Sequence, residues 1–231
     1  MYIYGKNVVK EVLKENTEIK QAIISSNFSD QEILKQLRSK NIFVEHRLPH
    51  QLDKIVDGNH QGIILKVEDY EYCDIDDLLV SDEPLIVILD HLEDPHNFGA
   101  IIRTCEAAGV DGIIIPKNRS VEVNSTVMKT STGALNHVKV CQVTNLKNTM
   151  DYLKKQGFWI VGTDMDGTSY TEIDYKGKMA IVTGSEGFGM SRLVRENCDF
   201  IATIPMYGKV NSLNASVATA VVIYEAVRQR R

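Results

Sequence analysis

The sequence lacks the features that mark membrane-spanning, secreted and metal-stapled proteins. No apolar run approaches the roughly 18 residues that a membrane-spanning helix requires. The start of the chain, Met1 to Lys6, lacks the basic segment, apolar core and small-residue cleavage site of a signal peptide, so we expect a cytoplasmic protein. The 4 cysteines include no Cys-x-x-Cys pair, which argues against a zinc ribbon or a disulfide framework and favours reduced, mostly buried thiols.

A clear excess of positive charge is also absent, although a nucleic-acid partner usually requires a basic surface. The formal net charge is −5, but eight acidic and no basic side chains lie between residues 67 and 84. The remainder is slightly basic: residues 1–66 carry ten Lys/Arg against eight Asp/Glu, and residues 85–231 carry sixteen against fifteen. The net charge therefore leaves an RNA partner open.

The acidic segment is the best candidate for a domain boundary, because solvated charges and Pro84 favour an exposed connection. We therefore predict a small domain at residues 1–67, a linker at 68–84 and a larger domain at 85–231. In the small domain, helical and strand-like spacings alternate, which predicts an α/β unit. Its predicted helices lie at 7–15 and 30–39, and its predicted strands at 21–24, 41–44 and 62–67.

The larger domain contains short, continuous apolar runs that alternate with helical patterns. Such runs are typical of a parallel sheet that helices cover on both faces, since its strands are too buried to alternate with polar residues. The last helix, predicted at 215–229, has Val217, Val221, Tyr224 and Val227 along one side. The fold class predicted for this domain is therefore α/β, with strands at 85–89, 112–115, 158–161, 179–182 and 201–204.

Three polar loops follow apolar runs of this domain and predict a ligand site. They are 94–99 (Asp-Pro-His-Asn-Phe-Gly), 183–189 (Thr-Gly-Ser-Glu-Gly-Phe-Gly) and 204–216, which begins Ile-Pro-Met and ends Asn-Ser-Leu-Asn-Ala-Ser. In an open α/β sheet, ligands bind beyond the carboxyl ends of the strands, where such loops gather. Gly, Ser and Asn supply exposed backbone groups and permit close approach, as an adenosine-containing ligand requires. The alternative is that the glycines only form turns and helix ends.

Other chemistries have weaker support. The order Gly184-x-x-Gly187-x-Gly189 reverses the dinucleotide fingerprint, and neither a Gly-x-x-x-x-Gly-Lys-Ser/Thr phosphate loop nor a Gly-x-Ser-x-Gly nucleophile elbow occurs. Metal binding between His91 and His96 is disfavoured because Pro95 breaks helical spacing, so we predict no metal. His60 is better explained as a hydrogen-bonding loop residue than as a catalyst.

The three loops resemble the motifs of the SpoU (TrmH) family of RNA ribose 2′-O-methyltransferases. Residues 97–104 (Asn-Phe-Gly-Ala-Ile-Ile-Arg-Thr) are similar to the first motif, 183–187 to the second, and 204–206 with 212–218 to the third, in the family's order. Tyr4-Gly5 and His60-Gln61-Gly62-Ile63 make the start of the chain similar to the family's ribosomal-protein L30e-like RNA-binding domain. The resemblance is greatest to members that methylate a guanosine of 23S ribosomal RNA.

This resemblance implies a SPOUT-type methyltransferase domain whose deep trefoil knot binds S-adenosylmethionine. Knots are rare exceptions to the rules of chain topology, and no residue spacing predicts one. The resemblance also implies a homodimer whose active sites use residues from both subunits. The apolar side of the last helix is compatible with such an interface, and burial within its own domain explains it equally well.

Candidate catalytic residues follow from the resemblance. Arg103 is similar to the family's essential arginine, but a guanidinium is too basic to accept a proton freely, so we expect it to position phosphate and stabilise a developing alkoxide. A surface salt bridge is the alternative for Arg103, and a helix N-cap is the alternative for Asn97. The other residues that would shape the catalytic and RNA-binding pocket are Glu186, Ser212 and Asn214.

Binding residues are implied in the same way. Cofactor contacts would come from Gly184, Ile204 and Leu213, with Thr163, Met206 and Gly187 nearby. Burial reasoning alone would instead place Ile204 and Leu213 in the core. RNA contacts would come from Lys117, Arg119, Lys6 and Lys10, which position RNA without specifying its sequence; ordinary solvated side chains are the alternative.

The leading interpretation is thus S-adenosylmethionine-dependent 2′-O-methylation of a ribose, expected to be that of a guanosine, in 23S ribosomal RNA. The nearest alternative is a transfer RNA or another ribosomal RNA site, including one that confers resistance to a ribosome-binding antibiotic. A non-catalytic RNA-binding protein is disfavoured because the five catalytic candidates are all present. A nicotinamide-dependent dehydrogenase is a distant third.

Overall fold

The computed structural model describes residues 1–14 and 17–231, which form two compact units, Met1–Glu71 and Tyr72–Arg231. The first unit is an α/β fold with strands β1 (Tyr2–Tyr4), β2 (Ile19–Ser25), β3 (Val44–Arg47) and β4 (Ile63–Val67). Its helices are α1 (Lys6–Lys14), α2 (Gln31–Ser39) and α3 (Pro49–Leu52). The sheet order is β1-β4-β2-β3: β4 is antiparallel to both of its neighbours, and β3 is parallel to β2.

The two longer helices of this unit agree closely with the sequence pattern. Helix α1 buries Val8, Val9, Val12 and Leu13, the positions that helical spacing brings to one face. Its predicted last residue, Glu15, lies outside the described residues. Helix α2 begins after Asp30, whose carboxylate accepts a hydrogen bond from the backbone N–H of Ile33 at 3.3 Å.

The strand predicted at 41–44 was wrong in its position, because β3 begins only at Val44. The preceding residues instead close the end of α2: the backbone N–H groups of Asn41 and Ile42 donate to carbonyls of that helix. Asn41 has a φ of 53°, a left-handed conformation that Asn tolerates and a strand does not.

The second unit is built on a fully parallel six-stranded sheet in the order β10-β8-β9-β5-β6-β7. Its strands are β5 (Leu85–Asp90), β6 (Gly112–Pro116), β7 (Lys139–Val143), β8 (Trp159–Ser169), β9 (Met179–Gly184) and β10 (Phe200–Thr203). Its helices are α4 (Pro95–Ala108), α5 (Ser125–Ser131), α6 (Leu146–Lys155), α7 (Arg192–Glu196) and α8 (Ala215–Arg230).

Strands β5 and β9 are adjacent, and every residue of both is buried. Their continuous apolar sequences predicted this burial, because a parallel strand with helices on both faces has no solvent-facing side. In the register of this pair Asp90 lies opposite Gly184. The chain leaves both strands at the same edge of the sheet, so the loops that follow them are brought together.

Two outer strands depart from the prediction. Strand β7 was not predicted, since its sequence, Lys-Val-Cys-Gln-Val, is short and partly polar. Strand β8 continues past its apolar start through a polar half that ends at Ser169. That half pairs with β10 after a register shift, with Ala202 opposite Thr168. Backbone hydrogen bonds to a neighbouring strand therefore stabilise residues that hydrophobic patterning alone would leave in a loop.

The acidic segment is divided between the two units, and residues 72–84 belong to the second. A 3₁₀-helix at Ile75–Leu78 buries Leu78, while Asp76 and Asp77 remain exposed. The backbone N–H of Cys73 also donates to the carbonyl of Val140 at 3.0 Å. The segment thus combines a solvated acidic side with an apolar side that packs on the core, and its charges alone did not reveal the second property.

The four cysteines are free thiols. Burial raises the pKa of both Cys141 and Cys198 to about 12, and raises that of Cys105 further. Such thiols are protonated at neutral pH and act as small apolar side chains. Within residues 1–14 and 17–231, no helix is long and apolar enough to cross a membrane.

Candidate functional site

The three polar loops meet at one carboxylate at the carboxyl edge of the sheet. Oxygen Oε1 of Glu186 accepts a hydrogen bond from Nδ2 of Asn97 at 2.6 Å and another from Nδ2 of Asn214 at 2.7 Å. Each loop that the sequence singled out contributes one of these three side chains. The contacts span 89 and 28 residues of sequence, so only the folded sheet brings them together.

Asn97 reaches this point from inside helix α4 rather than from a loop. Asp94 is the N-cap, and its carboxylate accepts from the backbone N–H groups of His96 at 3.1 Å and Asn97 at 3.2 Å. The N-cap alternative for Asn97 is therefore wrong, and the predicted loop 94–99 is helical from Pro95 onward. Because Asp94 already satisfies the backbone of the first turn, the amide of Asn97 is available to Glu186.

Asn214 has two roles at the start of helix α8. Its Oδ1 accepts from the backbone N–H of Ser216 at 3.0 Å and from the Ser216 hydroxyl at 2.6 Å, which makes it the N-cap. Its Nδ2 simultaneously donates to Glu186. Helix capping thus fixes the direction in which the catalytic candidate points its amide.

The loop between β9 and α7 is held tightly at its base. A Cβ atom on Gly184 would lie 2.1 Å from the carbonyl carbon of Gly189, so a side chain cannot be accommodated there. The backbones of Ser185 and Gly189 exchange two hydrogen bonds of 3.0 Å. Gly187 and Gly189 have φ values of 81° and 66°, which glycine adopts without strain. The closed base projects the intervening residues, including Glu186, into solvent.

Of the six cofactor candidates, Thr163 and Gly184 lie on the adjacent strands β8 and β9, and Thr163 donates its hydroxyl to the carbonyl of Val182 at 3.1 Å. The core alternative is wrong for Leu213, which is 38% exposed, and Ile204 is only partly buried. Met206 is similarly exposed, at 37%. The third loop therefore offers accessible apolar surface at the same edge of the sheet as Gly187.

Arg195 of helix α7 holds the polar half of β8 that follows Thr163. Its Nε donates to Asp164 at 2.8 Å and its Nη2 to Asp166 at 2.9 Å. Hydrogen bonding to Asp164 is the main cause that raises the pKa of this guanidinium above its ordinary value. The pair of carboxylates is thus neutralised by a permanent cation and does not repel an anionic ligand as strongly as two free acids would.

Arg103 and Ser212 are not joined to this cluster. Six residues separate Arg103 from Asn97, which rotates its side chain about 240° around α4 from the buried face. Arg103 is exposed, and among the described residues no hydrogen bond or ion pair engages its guanidinium, so the surface salt-bridge alternative is not supported. Ser212 is exposed two residues before Asn214.

The RNA candidates fall into different environments. Lys117 and Arg119 are exposed after strand β6, and Arg119 has a φ of 55°. In the first unit, Nζ of Lys6 lies 5.5 Å from the ring centroid of Phe28. Lys10 instead forms ion pairs with Glu32 and Asp30, and hydrogen bonding to Glu32 raises its pKa. Lys10 is therefore less available to a phosphate than the other three.

A cavity of about 780 Å³ adjoins Glu186 and contains residues that sequence reasoning missed. Its lining includes His91, Arg119, Glu186 and Phe188, whose ring is 94% exposed. Asp90, at the end of β5, is 1% exposed and is hydrogen-bonded to His91. A charged residue that ends an otherwise apolar strand was the available signal for Asp90. In the described part of the chain, no group of three His, Cys, Asp or Glu side chains is placed to hold a metal ion.

Comparisons with known proteins agree with this site. Residues 84–224 match the SpoU rRNA Methylase family, and residues 2–73 match the family described as RNA 2′-O ribose methyltransferase substrate binding. A Staphylococcus saprophyticus protein assigned to the TrmH family of tRNA/rRNA methyltransferases is 46% identical over 237 residues, covering 99% of this chain and 95% of that protein. YacO of Bacillus subtilis, assigned to the same family, is 42% identical over 238 residues, covering 99% and 96%.

A solved structure shares the fold. The SpoU methyltransferase AviRb from Streptomyces viridochromogenes, crystallised in complex with AdoMet, matches this chain with a TM-score of 0.82 and 24% sequence identity. The match covers 99% of this chain and 89% of the AviRb chain.

Proposed function

The chain belongs to the SpoU rRNA methylase family of S-adenosylmethionine-dependent RNA methyltransferases, and from that premise we propose that it methylates the ribose 2′-hydroxyl of a guanosine in 23S ribosomal RNA. Membership confirms the resemblance noted in the sequence and the predicted SPOUT-type α/β fold. The observation that carries the proposal is the shared oxygen of Glu186, which joins the three loops at the edge where α/β sheets bind ligands.

The cluster suits an enzyme whose main task is alignment. Methyl transfer to a hydroxyl is an in-line displacement, so the rate depends on holding two reactants in one geometry. Asn97 and Asn214 both bind Oε1 of Glu186, which leaves Oε2 to accept a hydrogen bond from the RNA. Ser212 lies on the same loop as Asn214 and would contact the same nucleotide.

The residues around the third loop fit S-adenosylmethionine, which supplies an electrophilic methyl group when bound. Met206 and Leu213 expose apolar surface on which an adenine ring can lie. Backbone groups of Gly184, Gly187 and Ile204, with Thr163, would bind the polar parts of the cofactor. The absence of a side chain at Gly184 keeps the loop closed at its base, which preserves the shape of that surface.

Arg103 would act in the active site of a second copy of the chain. It lies on a different face of α4 from Asn97 and has no partner of its own among the described residues. On helix α8, Val217 and Tyr224 are 48% and 50% exposed, which is unusual for an apolar stripe on a monomer. We therefore propose a homodimer in which these faces are buried and Arg103 contacts the RNA bound to the partner subunit.

Ribosomal RNA is favoured as the substrate by the first unit. That unit matches a substrate-binding family and presents Lys6 beside Phe28, a combination suited to phosphate contact and base stacking. Lys117 and Arg119 would add contacts next to the cavity. The domain limits 1–67, 68–84 and 85–231, the trefoil knot, the L30e-like character of the first unit and a cytoplasmic location are parts of the same proposal.

Transfer RNA, or another ribosomal RNA site, is the second candidate, because the relatives are assigned to a family of tRNA/rRNA methyltransferases. The test is to incubate the purified protein with S-adenosylmethionine and unmodified 23S, 16S and transfer RNA separately. Mass spectrometry of nuclease fragments then maps any 2′-O-methyl nucleotide.

One methylated guanosine in 23S RNA is the expected result. Methylation of transfer RNA instead would keep the reaction and replace the substrate. Product on none of the RNAs, nor on ribosomal particles treated in parallel, would overturn the catalytic proposal and leave an RNA-binding role.

A further inference from the structure

Transfer of a methyl group to a ribose hydroxyl releases a proton, and the guanidinium of Arg103 is too basic to accept it. We propose that His91 is the catalytic residue that accepts this proton and that Asp90 is its positioning residue. The inference rests on the proposed function and assigns a step within it. An imidazole is the side chain whose basicity best matches proton transfer near neutral pH.

Asp90 and His91 form an aspartate–histidine pair at the end of strand β5. Asp90 is 1% exposed, and its Oδ2 accepts the backbone N–H of Ser191 at 2.6 Å. Its Oδ1 is hydrogen-bonded to Nδ1 of His91. A carboxylate oxygen can only accept, so Nδ1 carries the ring proton and Nε2 keeps a free lone pair. A buried carboxylate that fixes the histidine tautomer in this way is the arrangement used by histidine bases in nucleophile activation.

The backbone of His91 supports a role beyond packing. Its φ of 56° lies in the left-handed region, which few residues other than glycine adopt. Such conformations concentrate at functional sites, where the surrounding structure maintains them. Here the hydrogen bond to Asp90 holds the ring in place, and Ser191 anchors Asp90 in turn.

The free nitrogen of His91 has a substrate-sized space in front of it. His91 has a side chain that is 38% exposed and lines the same cavity of about 780 Å³ as Glu186. The charged groups that face it come from four elements: Asp90 from β5, Glu93 and Asp94 from the β5–α4 connection, Arg119 from the segment after β6, and Glu186 from the β9–α7 loop. A ribose held by Glu186 in this cavity lies within the reach of both side chains.

The proposed step balances without a further reactant. The ribose 2′-oxygen forms a bond to the methyl carbon while the bond from that carbon to sulfur breaks, and the electron pair of the broken bond stays on sulfur. The hydroxyl proton passes to Nε2 of His91, which becomes an imidazolium paired with Asp90. The partly exposed ring then returns the proton to water.

The test compares His91→Asn with the wild type. Asparagine tolerates the left-handed backbone and can donate an amide hydrogen bond to Asp90, but it has no basic nitrogen. We expect kcat to fall roughly 10²–10⁴-fold, with an unchanged melting temperature and an unchanged Kd for S-adenosylmethionine by calorimetry. The acid limb of the wild-type pH–rate profile should be absent in the variant. His137→Asn, on an exposed histidine outside the cavity lining, is the matched control.

Two further measurements separate catalysis from structure. His91→Gly, which relieves the backbone conformation, should regain activity when imidazole is added. Nitrogen NMR of the His91 ring in the wild-type protein should show a proton on Nδ1 and none on Nε2 at neutral pH, and Asp90→Asn should change that pattern.

Turnover of His91→Asn within about threefold of the wild type, or a ring protonated on Nε2, would overturn the role of His91 while leaving the methyltransferase proposal intact. A wild-type protein that binds S-adenosylmethionine but methylates no RNA or ribosomal particle would overturn both.

Discussion

At the scale of single residues, Glu186 explains why three loops act as one site. One of its oxygens accepts amide hydrogens from Asn97 and Asn214, and its position is therefore set by two helix starts at once. Hydrogen bonds to a charged group are stronger than neutral ones, typically contributing about 1.5–3 kcal/mol each. The arrangement favours one orientation of the carboxylate before any substrate arrives.

Asn214 offers a way to separate alignment from stability. In Asn214→Ser the hydroxyl still caps α8, but no amide donates to Glu186. We expect this variant to keep the wild-type melting temperature and to lose roughly 10²-fold in kcat. Asn214→Ala loses the cap as well and should cost about 1 kcal/mol of stability. Thermal unfolding and single-turnover methylation measure the two effects, and normal turnover of Asn214→Ser would contradict the role given to the amide.

At the scale of elements, the strands that carry the site were predictable and the helix starts were not. Strands β5 and β9 are continuous apolar runs, which only a doubly covered sheet can bury. The sequence could not show that Asp94 rather than Asn97 caps α4, because both residue types favour that position. Nor could it show the position of Leu213: an apolar residue in a loop is exposed only when the fold leaves it uncovered. Asp90 and His91 were missed because their pairing depends on a left-handed backbone that no spacing reveals.

The closed base of the β9–α7 loop depends on Gly184. In Gly184→Ala the new Cβ would lie 2.1–2.3 Å from backbone atoms of Gly189 and Met190, which cannot move as a side chain can. We expect a loss of about 3 kcal/mol in the free energy of unfolding and loss of activity. Gly109→Ala is the control: its φ of 72° is strained by a side chain, but no atom lies within 4 Å, so it should cost about 1 kcal/mol. Denaturant unfolding of both variants is the measurement, and equal losses would contradict the steric explanation.

The last turns of α8 should give the protein a measurable acid sensitivity. Hydrogen bonds from Arg228, above all, lower the pKa of Glu225 from 4.5 to about 2, and Gln229 adds another. A carboxyl whose pKa is lower in the folded state stabilises the fold above the unfolded value, and that stability is lost as the pH falls toward 2. We expect Glu225→Gln to cost roughly 1–3 kcal/mol at pH 7 and nothing near pH 2.

Denaturant titrations across that pH range test this prediction. Glu172→Gln, at an exposed position, is the control and should change stability little at any pH. A Glu225→Gln penalty that stays constant as the pH falls would show that packing rather than charge is responsible.

At the scale of the whole molecule, the sequence predicted two α/β parts but not how the acidic segment is used. Charge density suggested an exposed connection, whereas residues 72–84 place Leu78 against the core of the second unit. The same scale decides the position of Arg103, since an exposed, unengaged arginine on a face away from Glu186 is explained only by a partner molecule or by the RNA.

Mixing two inactive variants tests the proposed subunit sharing. Arg103→Ala and Asn214→Ser damage different parts of the site, so a mixed dimer regains one intact site if Arg103 acts across the interface. After subunit exchange at equal concentrations, we expect about a quarter of wild-type activity. Sedimentation should confirm the dimer, and each variant should bind S-adenosylmethionine normally. If the mixture stays inactive although mixed dimers form, Arg103 acts within its own subunit.

The shared oxygen of Glu186 also has a consequence for the order in which the protein is made. Asn97 is synthesised well before Glu186, and Asn214 well after it, so the carboxylate has only one of its two amides until the start of α8 exists. A growing chain can therefore complete β5, β9 and the first unit without possessing a working site. Activity arises only when the last helix docks, which keeps an unfinished chain from modifying the RNA of the ribosome that is producing it.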